Sequence, residues 1–191
     1  VNMVLRVHLK ELERQNKIIR IHKPVSKHLE AAAILKKLEP TPVLFENIIE
    51  SDFRLMGNLF CNKLAFADYF DIQLPQIIPF LLQAIEKPSA YEIVETAPCQ
   101  EIVIANPDLN YLPILRHFEN DGGNYITSGV VIAKHPVYGQ NLSFHRCMQF
   151  SKTEMAMRVV QFRHFDTFLK DQKQLEVAIC IGNGLNILTA A

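Results

Sequence analysis

The chain has 191 residues, which is enough for one large domain or two small ones with a buried core. Lys plus Arg and Asp plus Glu both number 20, so the formal net charge is zero, and overall charge gives no reason to expect binding to nucleic acid or to an anionic membrane. The longest apolar run, residues 77–82, contains Pro79 and is too short to span a bilayer. Charged residues interrupt the apolar pattern of the first 13 positions, so we expect no secretory signal there.

The four cysteines lie far apart and form no CxxC pair. They are Cys61, Cys99, Cys147 and Cys180. A disulfide framework is unusual in a chain of this length, and the spacing does not match a structural zinc site. We therefore expect buried free thiols and a cytoplasmic protein.

The first half of the chain predicts alternating helices and strands. Residues 1–21 open with Val4, Leu5, Leu9 and Leu12 at helical spacing and continue into a strand at Ile18, Ile19 and Ile21. The next predicted elements are a helix over 27–38, strands at 43–45 and 55–59, and helices over 62–70 and 75–86. Pro40 and Pro42 stop the helix over 27–38, and Pro75 suits the first turn of the last helix.

Short strands dominate the second half, which predicts a mainly antiparallel region. The predicted strands cover residues 101–105, 126–133, 141–150, 155–161 and 175–180. A hairpin loop is expected at 135–139, a turn at 120–123 and a helix over 165–173. Residues 186–191 begin a helical pattern that stops at the last residue, which suggests truncation or a continuation. We place a domain boundary between residues 1–95 and 96–191 and predict an α+β fold.

The chemistry-bearing residues lie between positions 140 and 164. Arg146, Arg158 and Arg163 could converge with His145 and His164, because neighbouring strands lie only about 4.8 Å apart. The planar guanidinium group suits phosphate, since it donates two parallel hydrogen bonds. The alternative is that Arg158 and Arg163 are solvated surface charges, which is the more common situation for charged residues, and that His164 is a hydrogen-bonded histidine near a strand end.

Asn141 and one of the two histidines could also supply ligands for a metal ion beside this cluster. An amide oxygen is a hard ligand for Mg²⁺ or Mn²⁺, and an imidazole nitrogen favours Mn²⁺. Strict alternation along a strand places Asn141, Ser143 and His145 on one face and Arg146 on the other. A bulge would therefore have to intervene, or Asn141 would have to act from the beginning of the strand.

Several motifs in order along the chain resemble those of the UbiD family of reversible decarboxylases. They are residues 112–117 (LPILRH), 121–129 (DGGNYITSG), 140–146 (QNLSFHR) and 157–164 (MRVVQFRH), with 44–47 (LFEN) and 57–60 (GNLF) upstream and 175–182 (LEVAICIG) downstream. The resemblance covers most of residues 40–191, and the order of the motifs makes it specific.

The resemblance implies a small α/β amino-terminal domain followed by part of a split β-barrel that binds prenylated FMN. It also implies a divalent metal, Mn²⁺ or Mg²⁺, often with K⁺ bridging the cofactor phosphate. The matching metal ligands are Asn141 and His164. The positions that match cofactor-binding segments are Asn141, Phe144, His145, Arg146, Arg158, Val159, Val160, Arg163 and His164.

Arg146 matches the arginine of the family's catalytic Glu-Arg-Glu network, in which it would orient a substrate carboxylate. The third metal ligand and the proton-donating acid of the family fall beyond residue 191, so we expect this chain to be inactive alone. The implied partners are a small carboxylic acid substrate, a flavin prenyltransferase that supplies the cofactor, and either further copies of the chain or a second chain that completes the barrel. A flavin- or phosphate-binding protein without catalysis and an assembly subunit are the alternatives.

Overall fold

Helices and strands alternate in the first half of the computed structural model, which describes residues 5–172 and 174–191. The elements are α1 (Leu5–Arg14), β1 (Ile19–Ile21), α2 (Glu30–Leu38), β2 (Val43–Phe45), β3 (Leu55–Gly57), α3 (Lys63–Phe70) and α4 (Ile77–Glu86). All seven lie close to their predicted positions. Val4, which was predicted to begin the apolar face of the first helix, lies outside the described residues. β2 is central in this sheet, parallel to β1 and antiparallel to β3.

Antiparallel strands form the second half, as predicted. The elements are β4 (Tyr125–Ile126), β5 (Val130–His135), β6 (Gly139–Phe144), β7 (Cys147–Gln149), β8 (Met155–Met157), α5 (His164–Asp171), β9 (Val177–Cys180) and α6 (Leu185–Ala190). The six strands make two three-stranded sheets, in the orders β4-β7-β8 and β6-β5-β9. The described chain thus forms an α+β fold with two open sheets in place of a closed barrel.

Two predicted strands are each divided into two, because the chain passes from one sheet to the other. The strand expected over 126–133 is interrupted at residues 127–129, and the one expected over 141–150 is interrupted at His145 and Arg146. In both cases the first and second pieces pair with different neighbours. Hydrophobic alternation alone does not reveal such a change of sheet. The strand expected over 155–161 is also shorter, and it ends at Met157.

The strand predicted over residues 101–105 is wrong. Ile102, Val103 and Ile104 are 81%, 82% and 63% exposed, and no other part of the described chain pairs with them. A β-rich sequence needs a neighbouring strand edge to satisfy its backbone hydrogen bonds. These residues therefore leave an apolar, unpaired segment on the surface.

Two hydrophobic cores are joined by the segment 114–116. Leu115 packs with Val43 and Phe45 in the first core, whereas its neighbour Ile114 packs in the second core with Phe165 and Phe168. The backbone amide of residue 116 donates to Lys27 O at 3.1 Å, and Tyr125 N donates to Leu115 O at 2.9 Å. This short extended segment lies beyond the predicted boundary at residue 95 and connects the two halves.

The cysteines form no disulfide, as expected, but only part of the prediction of buried thiols is correct. Cys147 is buried, and burial raises the pKa of its thiol, whereas Cys61 and Cys99 are exposed. Over residues 5–172 and 174–191, every helix is too short or too polar to traverse a lipid bilayer.

Candidate functional site

The candidate site is built on the junction where β6 ends and β7 begins. Asn141, Ser143 and His145 project from one face, as strand alternation predicts. Asn141 Nδ2 donates to Ser143 Oγ at 3.0 Å, and Ser143 Oγ lies 2.9 Å from His145 Nε2. A break between two strands, at His145 and Arg146, takes the place of the expected bulge.

The second arginine segment lies directly beside this junction. Arg158 N donates to Arg146 O at 3.3 Å, which continues the β7–β8 ladder beyond the pair of Cys147 and Met157. His145 Nδ1 lies 3.0 Å from Arg158 O. The backbones of Arg146 and Arg158 are therefore adjacent, and like charges placed opposite each other on neighbouring strands are unfavourable unless an anion lies between them.

The start of α5 brings the third segment to the same place. Phe165, in the first turn of α5, packs against the His145 ring with centroids 4.6 Å apart. Arg163 is the residue that caps this helix, and His164 is its first residue. A helix amino terminus favours anions, because its first amides are unsatisfied and its dipole is positive there.

Asp166 holds the turn that leads into α5. Phe162 adopts a left-handed backbone conformation with φ 66°, and its amide donates to Asp166 Oδ2 at 2.8 Å. Lys170 Nζ donates to the same oxygen at 2.6 Å. The hydrogen bond from Lys170, followed by that from the Phe162 amide, lowers the pKa of the Asp166 carboxyl.

The three arginines of the cluster have no partners for their side chains. In the part of the chain that the structure describes, no carboxylate lies within 4.0 Å of Arg146, Arg158 or Arg163, and their guanidinium groups make no hydrogen bond. All three are exposed. An exposed, unpaired guanidinium group can donate two parallel hydrogen bonds to a phosphate dianion.

The remaining predicted site residues lie around this centre in different environments. Val159 is half-buried and packs against the second core, whereas Phe144 and Val160 are exposed. His145 is buried, and both of its ring nitrogens face partners within the chain. Contacts of these residues with a cofactor stay predictions.

Three residues that shape the site were not predicted: Ser143, Phe165 and Asp166. Strand alternation already placed Ser143 between Asn141 and His145, and this was a usable signal for a hydrogen-bonded row. An acidic residue in the first turn of a helix is likewise a known cap signal. The contact of Phe165 with His145 joins distant segments, and no local pattern reveals it.

Asn141 and His164 are available as metal ligands, but they do not make a complete site. Asn141 Oδ1 and the His164 ring have no hydrogen-bond partner among residues 5–172 and 174–191. Over the same residues, no three His, Cys, Asp or Glu side chains come together to hold a metal ion. An amide oxygen and an imidazole nitrogen are donor types that suit a mixed oxygen and nitrogen site, which would require further ligands.

A cavity of about 700 Å³ lies away from the cluster, between the two halves of the chain. Its lining is mainly apolar and includes Leu35, Leu55, Phe60, Leu112 and Ile126. None of the predicted site residues lines it. The candidate site and this cavity are therefore separate features.

Two family models match consecutive parts of the chain. Residues 9–85 match the 3-octaprenyl-4-hydroxybenzoate carboxy-lyase amino-terminal domain, and residues 92–191 match the Rift-related domain of the same carboxy-lyases. Together the two matches include every residue of the candidate site.

Curated relatives include anhydromevalonate phosphate decarboxylases from two archaea. The Methanosarcina mazei protein is 33% identical over 98% of this chain, and the Methanothermobacter thermautotrophicus protein is 34% identical over 83% of it. The chain spans only 44% and 38% of the length of these two relatives.

Solved structures show the same arrangement of elements. The UbiD-class enzyme HmfF from Pelotomaculum thermopropionicum in complex with FMN is 29% identical, with a TM-score of 0.89 over 94% of this chain and 42% of the enzyme. An evolved dimeric form of that enzyme in complex with prFMN has a TM-score of 0.90 over 96% of this chain and 45% of its own.

Proposed function

Because the chain belongs to the UbiD family of carboxy-lyases, we propose that it forms the amino-terminal part of a decarboxylase that acts on an unsaturated or aromatic carboxylic acid. The proposed cofactor is prenylated FMN. The names of the relatives support the reaction class, and the FMN and prFMN complexes of the UbiD-class neighbour support the cofactor.

The observation that carries the proposal is the group of unpaired arginines around His145. Arg158 and Arg163 are the residues that would bind the flavin phosphate, together with the first amides of α5. Their guanidinium groups have no internal acid to neutralise them in the described chain, so both are free to pair with a bound dianion.

Asn141 and His164 would hold a divalent cation next to that phosphate. The unengaged amide oxygen of Asn141 and the imidazole of His164 suit Mn²⁺ better than Mg²⁺, and K⁺ is a further cation proposed for the phosphate. At least one more protein ligand must come from outside the described residues, since these two alone leave the coordination incomplete.

Arg146 is the proposed catalytic residue of this part. When bound, the modified flavin supplies an electron sink for the loss of CO₂ from the substrate. The exposed guanidinium of Arg146, at the β6–β7 junction, would orient the substrate carboxylate by two parallel hydrogen bonds. An acid that returns a proton to the product would have to be supplied by another part of the protein.

The first substrate to test is anhydromevalonate phosphate, because two relatives at 33% and 34% identity are named for its decarboxylation. Aromatic hydroxyacids and cinnamate-like acids are the other substrate classes that the family resemblance implies, and the described residues do not select among them.

Exposed apolar surfaces support a partner for the chain. Ile78, Leu82 and Ile85 recur at helical spacing along α4 and are 66%, 53% and 76% exposed, and residues 102–104 form the unpaired apolar segment described above. We propose that further copies of the chain, or a second chain that completes the barrel, cover these surfaces. A flavin prenyltransferase would supply the cofactor in the cytoplasm, and the division into domains 1–95 and 96–191 is part of the same proposal.

The test of the phosphate site is the affinity of the chain for FMN, measured by quenching of flavin fluorescence. Arg158→Ala and Arg163→Ala should each weaken binding by about 10- to 100-fold, because each removes a charge-assisted hydrogen bond worth about 1.5–3 kcal/mol. Arg6→Ala is the matched control, since Arg6 is an exposed arginine of α1 with no side-chain partner.

Circular dichroism must show that all three variants keep the wild-type fold. An unchanged FMN affinity in both Arg158→Ala and Arg163→Ala would support the alternative that these arginines are ordinary solvated charges.

A further inference from the structure

The row of hydrogen bonds from Arg158 to Asn141 has a defined direction. It begins at a backbone carbonyl, Arg158 O, which can only accept a hydrogen bond. His145 Nδ1 lies 3.0 Å from that oxygen, so Nδ1 must carry the ring proton. In the neutral form the imidazole has one protonated nitrogen, which leaves Nε2 as an acceptor.

The rest of the row follows from that ring. Ser143 Oγ lies 2.9 Å from Nε2, so its hydroxyl proton is donated to the ring. The hydroxyl oxygen then presents only lone pairs to Asn141, 3.0 Å away. Asn141 must turn its Nδ2–H₂ toward Ser143, since its own oxygen would face another acceptor there.

This direction leaves Asn141 Oδ1 turned away from the row with no partner in the described chain. The donor order is set by the carbonyl and does not depend on how the two ends of the amide are labelled. The His145 end of the row is shielded from water, because His145 is buried and packs on Phe165, whereas Ser143 and Asn141 are half-buried. A shielded hydrogen bond is harder to exchange for one with water.

We propose that Ser143 and His145 are positioning residues that present the oxygen of Asn141, and never its NH₂ group, to the metal site. This inference rests on the proposed metal-binding role of Asn141. Second-layer partners of metal ligands orient the ligand, and their loss weakens metal binding by about 10- to 100-fold. His145 would thus serve the site through its two ring hydrogen bonds and not by direct contact with the cation.

The first test is the tautomer of His145 in the wild-type chain, observed by long-range proton–nitrogen NMR of the imidazole rings. The His145 resonance, assigned by its absence from His145→Phe, should show the proton on Nδ1. A proton on Nε2 would reverse the row and overturn the proposal, whether or not any metal binds.

The second test is Mn²⁺ affinity in the presence of FMN, measured from the electron paramagnetic resonance signal of free Mn²⁺. Ser143→Ala should weaken binding by about 10- to 100-fold, and Ser143→Thr should restore most of the affinity because it keeps the hydroxyl in a strand-compatible side chain. Wild-type affinity in Ser143→Ala, or equal loss in Ser143→Thr, would overturn the proposal.

Asn141→Ala separates this inference from the proposed function. If that variant binds Mn²⁺ as well as the wild type does, the proposed role of Asn141 as a ligand is wrong and the orientation of its amide has no function. If Asn141→Ala loses Mn²⁺ whereas Ser143→Ala does not, the ligand is correct and only the positioning row is refuted.

Discussion

Asp166 is the residue that stabilises the turn carrying Arg163 and His164 to the candidate site. Its carboxylate accepts hydrogen bonds from the Phe162 amide and from Lys170. These hydrogen bonds compensate for the cost of a left-handed backbone conformation at Phe162, which is not a glycine. Arg163, at the capping position, gives the helix no side-chain cap. Asp166, the third residue of α5, accepts a hydrogen bond at this end of the helix in place of a capping side chain.

The lowered pKa of Asp166 predicts a pH-dependent contribution to folding. A carboxyl whose pKa is lower in the folded protein stabilises the fold above its ordinary value of 3.8, and this stabilisation is lost as the pH falls through the lower folded-state pKa. Wild type should melt at a higher temperature than Asp166→Asn near neutral pH, and the difference should vanish in acid below that pKa.

Thermal denaturation followed by circular dichroism across this pH range measures the effect, and Asp166→Asn is its own control because an amide does not titrate. A difference in melting temperature that stays constant from neutral pH to strong acid would show that the carboxylate charge makes no such contribution.

Chemical types of site residues were predictable from the sequence, whereas their partners were not. Arg158 and Arg163 were expected near His145 because they occur on short neighbouring strands, and the structure brings these segments together through Arg158 O and Phe165. The contact of Phe165 with His145 spans 20 positions of the chain. Such contacts depend on how the elements pack, which a local pattern does not encode.

At the scale of elements, α2 packs tightly on β3 at Gly57. A Cβ atom added to Gly57 would lie 2.5 Å from Leu35 Cδ2 and 3.2 Å from Leu35 Cγ. Leu35 itself packs against the first core, so it cannot move away without disturbing its neighbours. The glycine is needed here for close approach of a helix and a strand.

Gly57→Ala should therefore lower the free energy of unfolding by about 1–3 kcal/mol through overpacking. The cost should be smaller when Leu35 is already alanine, since the obstructing methyl groups are gone. Denaturant unfolding of wild type, the two single variants and Gly57→Ala/Leu35→Ala measures this coupling. Strictly additive losses would argue against the contact.

Predicted elements were most accurate where one pattern and clear stop signals coincide. The helix that precedes Pro40 and the strand over 43–45 were placed within a few residues. Errors arose where a strand changes sheet, as at His145, or where it lacks a neighbour, as at residues 101–105. Strand propensity shows that the side chains of a segment suit a β-sheet, but it does not show whether a neighbouring strand is available to pair with that segment.

At the scale of the whole molecule, the described part of the chain carries three unpaired arginines but lacks a complete set of catalytic groups. No described acid lies within 4.0 Å of the Arg146 guanidinium, and the two candidate metal ligands leave a site unfilled. The relatives that it matches are more than twice its length. We infer that the remaining groups for catalysis belong to other parts of the protein.

This incompleteness predicts that the 191-residue chain does not catalyse decarboxylation by itself. The chain, produced alongside a flavin prenyltransferase so that it can take up cofactor, should release no CO₂ from anhydromevalonate phosphate. Quantification of CO₂ and product by mass spectrometry tests this, with an authentic full-length relative as the positive control. Cofactor-dependent turnover by the chain alone would refute the prediction.

The most direct test of the central claim compares FMN with riboflavin, which has the same ring system and no phosphate. If the arginine segments around His145 bind a phosphorylated flavin, isothermal titration of the wild-type chain should give at least about 10-fold tighter binding of FMN, because the phosphate adds charge-assisted hydrogen bonds. Equal affinity for the two flavins, or no binding of FMN, would contradict the account.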